Sequence, residues 1–317
     1  MPIPTAAPQL HALDNLFESQ LEHHRIKTNG VWLNVVQAGK HDGRVALLLH
    51  GFPEGWMGWR KQIDALVAAG YRVLIPDQRG YNASDKPSGV AAYALDVLVE
   101  DIRCLIEGVT REPVYLLGHD WGGAVAWRLA NRHPHLIERL VIANCAHHAV
   151  MEHQLRSNFR QLRRSGYMFF FQIPTLPEYV LARKDYRWLV QQLCARSRPG
   201  SFSEPEIETY RQAWKQPGAL TAMLNWYRAM MRTPLKAVAT PRIKVPTLLI
   251  WGAKDHALGR EMAQPSIDLC DCGRLVFIEA AGHWVLHEEP QRVNELVLEF
   301  LSRSLTAQPG VEMAAAG

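Results

Sequence analysis

Short apolar runs alternate with amphipathic stretches along most of the chain. Val45–Leu49 is a continuous apolar run, as expected for a strand buried on both faces. Tyr71–Ile75, Val114–Leu117, Leu140–Ala143, Thr247–Trp251 and Leu275–Ile278 read the same way. Between these runs a helical period predicts helices at Trp59–Ala69, Leu95–Glu107, Gly123–Asn131 and Pro290–Ser304. Ahead of the first run, Arg25–Lys27 and Val31–Gln37 flank Asn29-Gly30, a strong hairpin signal. Strands alternating with helices predict an α/β protein whose mostly parallel sheet is covered on both faces.

The alternation stops between about Ala146 and Arg242. That stretch is rich in aromatic residues and Met and reads as helices. Lying between two buried strands, it is expected to be a helical lid inserted into the core. The division is then a core domain of residues 1–145 and 243–305, with residues 146–242 as the lid. Residues 1–20 read as an arm or short helix ahead of the sheet. The small, polar residues 306–317 read as a disordered tail.

Composition narrows the partners. The 317 residues are 48% hydrophobic and 21% charged, which is globular, and the net charge is only +4. No run of Lys or Arg is dense enough for nucleic acid. Arg156, Arg160, Arg163 and Arg164 cluster at helical spacing and read as a solvated face. The first ten residues lack the pattern of a signal peptide, and no apolar stretch approaches the ~20 residues of a membrane span. The five cysteines are odd in number and unlike a disulfide framework. Cys270-x-Cys272 has no companion pair or spaced His, so no metal site is read there. The expected compartment is a reducing cytoplasm, and the expected state a monomer or homodimer.

The chemistry centres on Gly118-His119-Asp120-Trp121-Gly122. A strand precedes it and a helix rich in small residues follows, the layout of a nucleophile elbow. Lipases and esterases carry Ser at the centre; here it is Asp. A carboxylate attacking an ester carbonyl would give an anhydride, a poor intermediate. A carboxylate attacking a saturated carbon gives an ordinary ester, which water can cleave. The elbow therefore points to opening an epoxide or displacing a halide. Asp255 lies in Trp251-Gly252-Ala253-Lys254-Asp255, leaving one strand, and His283 in Ala280-Ala281-Gly282-His283-Trp284, leaving the next. Nucleophile, acid and histidine follow in the order of an α/β-hydrolase triad, each at a strand end.

The chain resembles the epoxide hydrolase branch of the α/β-hydrolase fold superfamily. The matching pieces are His50-Gly51-Phe52-Pro53-Glu54, Asp77-Gln78-Arg79-Gly80-Tyr81, Gly118–Gly123, Asn225-Trp226-Tyr227-Arg228 and Gly282-His283-Trp284, spanning about Gly39 to Phe300. Two departures are Asn82, where the family usually has Gly, and Ala146-His147, where it commonly has Pro. Asn tolerates positive φ, so the turn at Asn82 should be kept. His147, His148 and His153 lack metal-ligand spacing and read as lid or pocket-wall residues. The resemblance implies an oxyanion hole from the backbone N–H groups of Phe52 and Trp121.

Ring opening also needs an acid, because the epoxide oxygen leaves as an alkoxide. A tyrosine, with its pKa near ~10, can donate at neutral pH. The lid holds Tyr167, Tyr179, Tyr186, Tyr210 and Tyr227. Tyr227 shares a helical face with Leu220, Met223, Met230 and Met231, and that face should look inward. Tyr167 opens an apolar run that must also be buried, whereas Tyr210 pairs with Ile207 and Trp214 as lid core. The resemblance assigns ring opening to Tyr167 and Tyr227, through a Tyr-x4-Gln-x-Pro pattern and the Asn-Trp-Tyr-Arg motif. It implies an apolar alkyl or aryl epoxide as substrate, a vicinal diol as product and no metal or organic cofactor. The pocket wall is expected from Phe52, Trp121, Phe171, Met223, Leu258 and Trp284. The alternatives are a haloalkane or haloacid dehalogenase using the same Asp nucleophile, and a non-catalytic small-molecule binder on the same fold.

Overall fold

The apolar runs form one eight-stranded sheet in the order β1-β2-β4-β3-β5-β6-β7-β8. The computed structural model describes residues 17–236 and 240–303. Most of the expected N-terminal arm and all of the tail 306–317 lie outside the described residues, as do Ser304 and Leu305 at the end of the core segment. β1 (Leu21–Lys27) and β2 (Trp32–Ala38) pair antiparallel, and Gly30 takes φ +76° in the turn between them. β2 also runs antiparallel to β4 (Arg72–Pro76). The remaining pairings, through β3 (Val45–Leu49), β5 (Val114–His119), β6 (Ile137–Ala143), β7 (Thr247–Gly252) and β8 (Gly273–Ile278), are parallel.

β3, β5 and β7 are buried along their whole length, as continuous apolar runs require. β8 departs from that expectation. It ends the sheet, and only Ile278 of its six residues is buried. An edge strand has a neighbour on one side only, so Phe277 is covered instead by the Arg260 guanidinium, 4.4 Å from its ring.

Chain order decides where a site can form. After β3 the chain crosses by α1 (Arg60–Ala68) to β4 on one side. It then crosses by α2 (Leu95–Val109) to β5 on the other side of β3. Right-handed crossovers put the two helices on opposite faces. The direction of winding reverses between β3 and β5, and loops leaving their C-terminal ends diverge around a crevice. Phe52 follows one strand and Asp120 the other. α3 (Trp121–Arg132) packs with α2, and α12 (Pro290–Ser302) with α1.

Between β6 and β7 lie helices α4 (His148–Ser157), α5 (Phe159–Arg164), α6 (Gly166–Phe170), α7 (Leu176–Cys194), α8 (Glu204–Lys215) and α9 (Ala219–Arg232). α7 breaks at Arg183–Tyr186, where Lys184, Asp185 and Tyr186 take positive φ. α8 starts on a capping box, with Ser203 and Glu206 satisfying each other's backbone N–H groups. Of the face expected for α9, Met223 and Tyr227 are buried, together with Ala222 and Trp226, while Leu220 and Met230 are half-buried. Met231 does not join that face. It lies in the last turn and is 38% exposed. Two short helices, α10 (Ala263–Ile267) and α11 (Val285–Glu288), and then α12 complete the described chain. None of the described helices is long and apolar enough to cross a membrane.

Candidate active site

Asp120 sits at the turn from β5 into α3 with φ 49° and ψ −120°. This is a strained conformation for a residue with a Cβ. Two glycines make the turn possible. A Cβ on Gly122 would lie 2.1 Å from the Leu49 carbonyl oxygen, and one on Gly51 would lie 2.5 Å from Asp120 Cβ. The crevice loops can therefore close on the carboxylate. The Phe52 N–H donates to Asp120 Oδ1 at 2.9 Å. Trp121 opens α3, so its N–H is among the first helix donors, which have no intrahelical acceptor. The Phe52 loop is braced from below, since the Gln78 N–H donates to His50 Nε2 at 3.0 Å and Gln78 Nε2 to the His50 carbonyl at 2.6 Å.

His283 faces Asp120 with Nε2 at 3.6 Å from Oδ2, and its Nδ1 lies 2.8 Å from Asp255 Oδ2. An ionised carboxylate only accepts, so Nδ1 carries the proton and Nε2 is turned to the nucleophile. Burial pulls the His283 pKa down, but Asp255 and then Asp120 push it up to about 9. Burial would raise the Asp255 pKa, yet His283 and hydrogen bonds hold it below the usual value. Those bonds come from the N–H groups of Ala257 at 2.7 Å and Leu258 at 2.9 Å, and from Asn144 Nδ2 at 2.7 Å.

A cavity of about 320 Å³ opens over this group, and Asp120, His283, Tyr167 and Tyr227 all line it. The two phenol rings meet edge to face at 5.7 Å between centroids. Burial, and then the charge of Asp120, push the Tyr167 pKa well above its ordinary value. Burial, then Tyr167 and Asp120, do the same for Tyr227. Both hydroxyls are therefore protonated donors. Gln172 ties their segments together by donating from Nε2 to the Tyr227 carbonyl at 3.0 Å. Arg228 adds to the tie. It donates to the Phe171 carbonyl at 2.9 Å and pairs with Glu178 at 2.7 Å.

The expected pocket wall needs correction. Phe52 and Trp284 line the cavity; Trp121, Phe171, Met223 and Leu258 do not. Phe171 and Trp121 pack against Tyr227, each 5.1 Å away, and so support the phenols from behind. Met223 is buried one turn before Tyr227, and Leu258 serves Asp255 through its backbone. Arg164, Trp188, Gln192, Arg196 and His256 line the cavity unforeseen. Arg164 thus leaves the solvated arginine face expected for it. His147, His148 and His153 do not line it either; His147 caps α4 through Nδ1, and His153 is exposed. Asn82 does take positive φ, at 40°.

Sequence reasoning also missed a buried polar network behind the histidine. His119 Nε2 lies 2.9 Å from the His283 carbonyl oxygen, and His119 Nδ1 lies 3.7 Å from Glu54 Oε2. Glu54 Oε1 takes hydrogen bonds from His287 Nε2 at 2.9 Å and from the Tyr210 hydroxyl at 2.8 Å. Burial lowers the His287 pKa to about 4. Its neutral ring accepts from Arg60 at Nδ1, 2.8 Å away. Tyr210 is therefore more than lid core, although it does stack on Trp214.

The motifs that carry the resemblance meet here. Trp226 Nε1 donates to the Arg79 carbonyl at 3.0 Å, and Trp214 Nε1 to the Pro53 carbonyl at 2.6 Å. Tyr81 touches both His50 and Trp226.

Comparison with known proteins shows the family. The family profile described as alpha/beta hydrolase fold matches residues 45–290. The AB hydrolase superfamily protein YfhM of Bacillus subtilis is 46% identical, over 87% of this chain and 96% of its own. Epoxide hydrolase 1 of Caenorhabditis elegans is 36% identical, over 88% of this chain and 70% of its own. Among solved structures, an epoxide hydrolase of Bacillus megaterium in complex with an inhibitor superposes with a TM-score of 0.80. It is 31% identical and covers 89% of this chain and all, 100%, of that one.

Proposed function

The chain belongs to the epoxide hydrolases of the α/β-hydrolase fold family, and from that premise we propose that it converts an apolar epoxide and water to a vicinal diol through an ester on Asp120. One observation carries the route: a carboxylate nucleophile faces two protonated phenols across one cavity. Asp120 Oδ1 is engaged by the Phe52 N–H, which leaves Oδ2 to attack a ring carbon. The C–O bond of the ring breaks as Tyr167 or Tyr227 gives a proton to the oxygen. His283 then takes a proton from water, which attacks Cγ of Asp120. The oxyanion forms on Oδ1, where the N–H groups of Phe52 and Trp121 receive it. Collapse expels the diol oxygen, which takes its proton from His283, and the proton left on the re-formed Asp120 carboxyl returns to the tyrosinate. The inserted helices act as a lid that carries the phenols. We further propose a cytoplasmic enzyme, monomer or homodimer; the five free thiols support a reducing compartment.

The direct test is to incubate the protein with styrene oxide and with 1-bromohexane. Diol without bromide is expected; bromide without diol would move the protein to the dehalogenases. The phenols supply a second test. Tyr167→Phe and Tyr227→Phe should each slow single-turnover ring opening by about 1–3 kcal/mol, one hydrogen bond to a developing charge. The double variant should nearly abolish it, and a double variant alkylated at the wild-type rate would remove both residues from the scheme.

A further inference from the structure

The cavity over Asp120 carries positive charge that the reaction does not use. Arg164 ends α5, three residues before Tyr167, and its side chain lines the cavity. Its Nη1 is buried and has no hydrogen-bond partner. Its ion-pair partner is Glu261, 3.9 Å from that Nη1 and with 40% of its side chain exposed. Arg196, just past the end of α7, also lines the cavity, is exposed, and pairs with no acid among the described residues. Asp120 is the one carboxylate in the cavity wall, and His283 already faces it at 3.6 Å. The aromatic Phe52, Trp188 and Trp284 share the rest of the wall with the polar Gln192 and His256.

Apart from Glu261 at 3.9 Å the Arg164 guanidinium has no counter-charge among the described residues, and a wholly apolar ligand would cover it without supplying one. A carboxylate fits the vacancy, because a guanidinium presents a planar fork of donors matched to its two oxygens. We propose that the preferred substrate is an epoxide carrying a carboxylate on a short apolar body. The carboxylate is held chiefly by Arg164, with Arg196 drawing it in, while the ring reaches Asp120 and the phenols. This rests on the epoxide hydrolysis proposed above and narrows its substrate class. Arg196 is the weaker partner, since an exposed charge is screened by water and salt.

The test compares 4-(oxiran-2-yl)benzoate with its methyl ester in the wild-type protein, Arg164→Gln and Arg196→Gln. The wild type should favour the acid in kcat/KM by about tenfold, the scale of a charge-assisted hydrogen bond at a partly buried site. The acid-to-ester ratio should fall to about one in Arg164→Gln and by roughly two- to threefold in Arg196→Gln. If both epoxides are hydrolysed and the ester is the equal of the acid, the carboxylate site is wrong and the hydrolase stands. If neither is hydrolysed, the epoxide reading fails, and calorimetry with unreactive 4-ethylbenzoate and 4-ethylbenzamide decides the site alone. Tighter binding of the benzoate, lost in Arg164→Gln, supports it; equal binding overturns it.

Discussion

Asp120→Ala is expected to abolish diol formation, lowering kcat by at least about 10⁴-fold, the scale of losing a covalent nucleophile. No neighbour can take over. Asp255 is buried behind His283 with both oxygens engaged by His283, Asn144, Ala257 and Leu258. Glu54 is held in its own network with His287 and Tyr210. Neither lines the cavity. Ala at φ 49° is strained but no more so than Asp, so the melting temperature should move little. Asp120→Asn should instead regain activity slowly, if the amide is hydrolysed in place, with the protein mass rising to that of the wild type. The measurement is diol released per enzyme by chromatography, with a thermal melt as the folding control. Turnover by the Ala variant near the wild-type rate would exclude Asp120 as nucleophile.

How legible the molecule was depends on how local each signal is. Continuous apolar runs found the strands because burial on both faces leaves no polar position. The same rule overstated β8, since a sequence run does not reveal which strand ends the sheet. Asp120, Asp255 and His283 were readable because each sits beside a strand end in a fixed chain order, and the structure brings them together. Asn144 stands just after the end of β6, with φ 41°, and that position could have drawn attention to it. Its partner Asp255 is 111 residues away, which no local pattern encodes. The same holds for Arg164. At helical spacing with Arg156, Arg160 and Arg163 it looked like solvated surface. α5 ends at Arg164, and there its side chain turns to the cavity. Phe171 and Met223 were rightly read as buried but wrongly as lining, because hydrophobicity does not tell the wall of a cavity from the layer behind it.

His283→Gln is expected to divide the reaction at its midpoint. Alkylation needs only an ionised carboxylate and a phenol, neither of which His283 supplies. The variant should therefore consume one epoxide per active site and stop, with its mass raised by one substrate. Hydrolysis of the ester should slow by about 10²–10⁴-fold, the usual worth of a general base. The wild type offers a check on the same step. Free His283 titrates at about 9, raised against its burial by Asp255 and in part by the Asp120 charge. Ester formation removes that charge, so the pKa should fall and free Nε2 to take a proton from water. Ester hydrolysis should then rise with pH through a midpoint below about 9, as the ring loses its proton. Rapid mixing with mass spectrometry of the quenched protein reads both results. An inactive His283→Gln with no added mass would place His283 before the ester and defeat the two-step scheme.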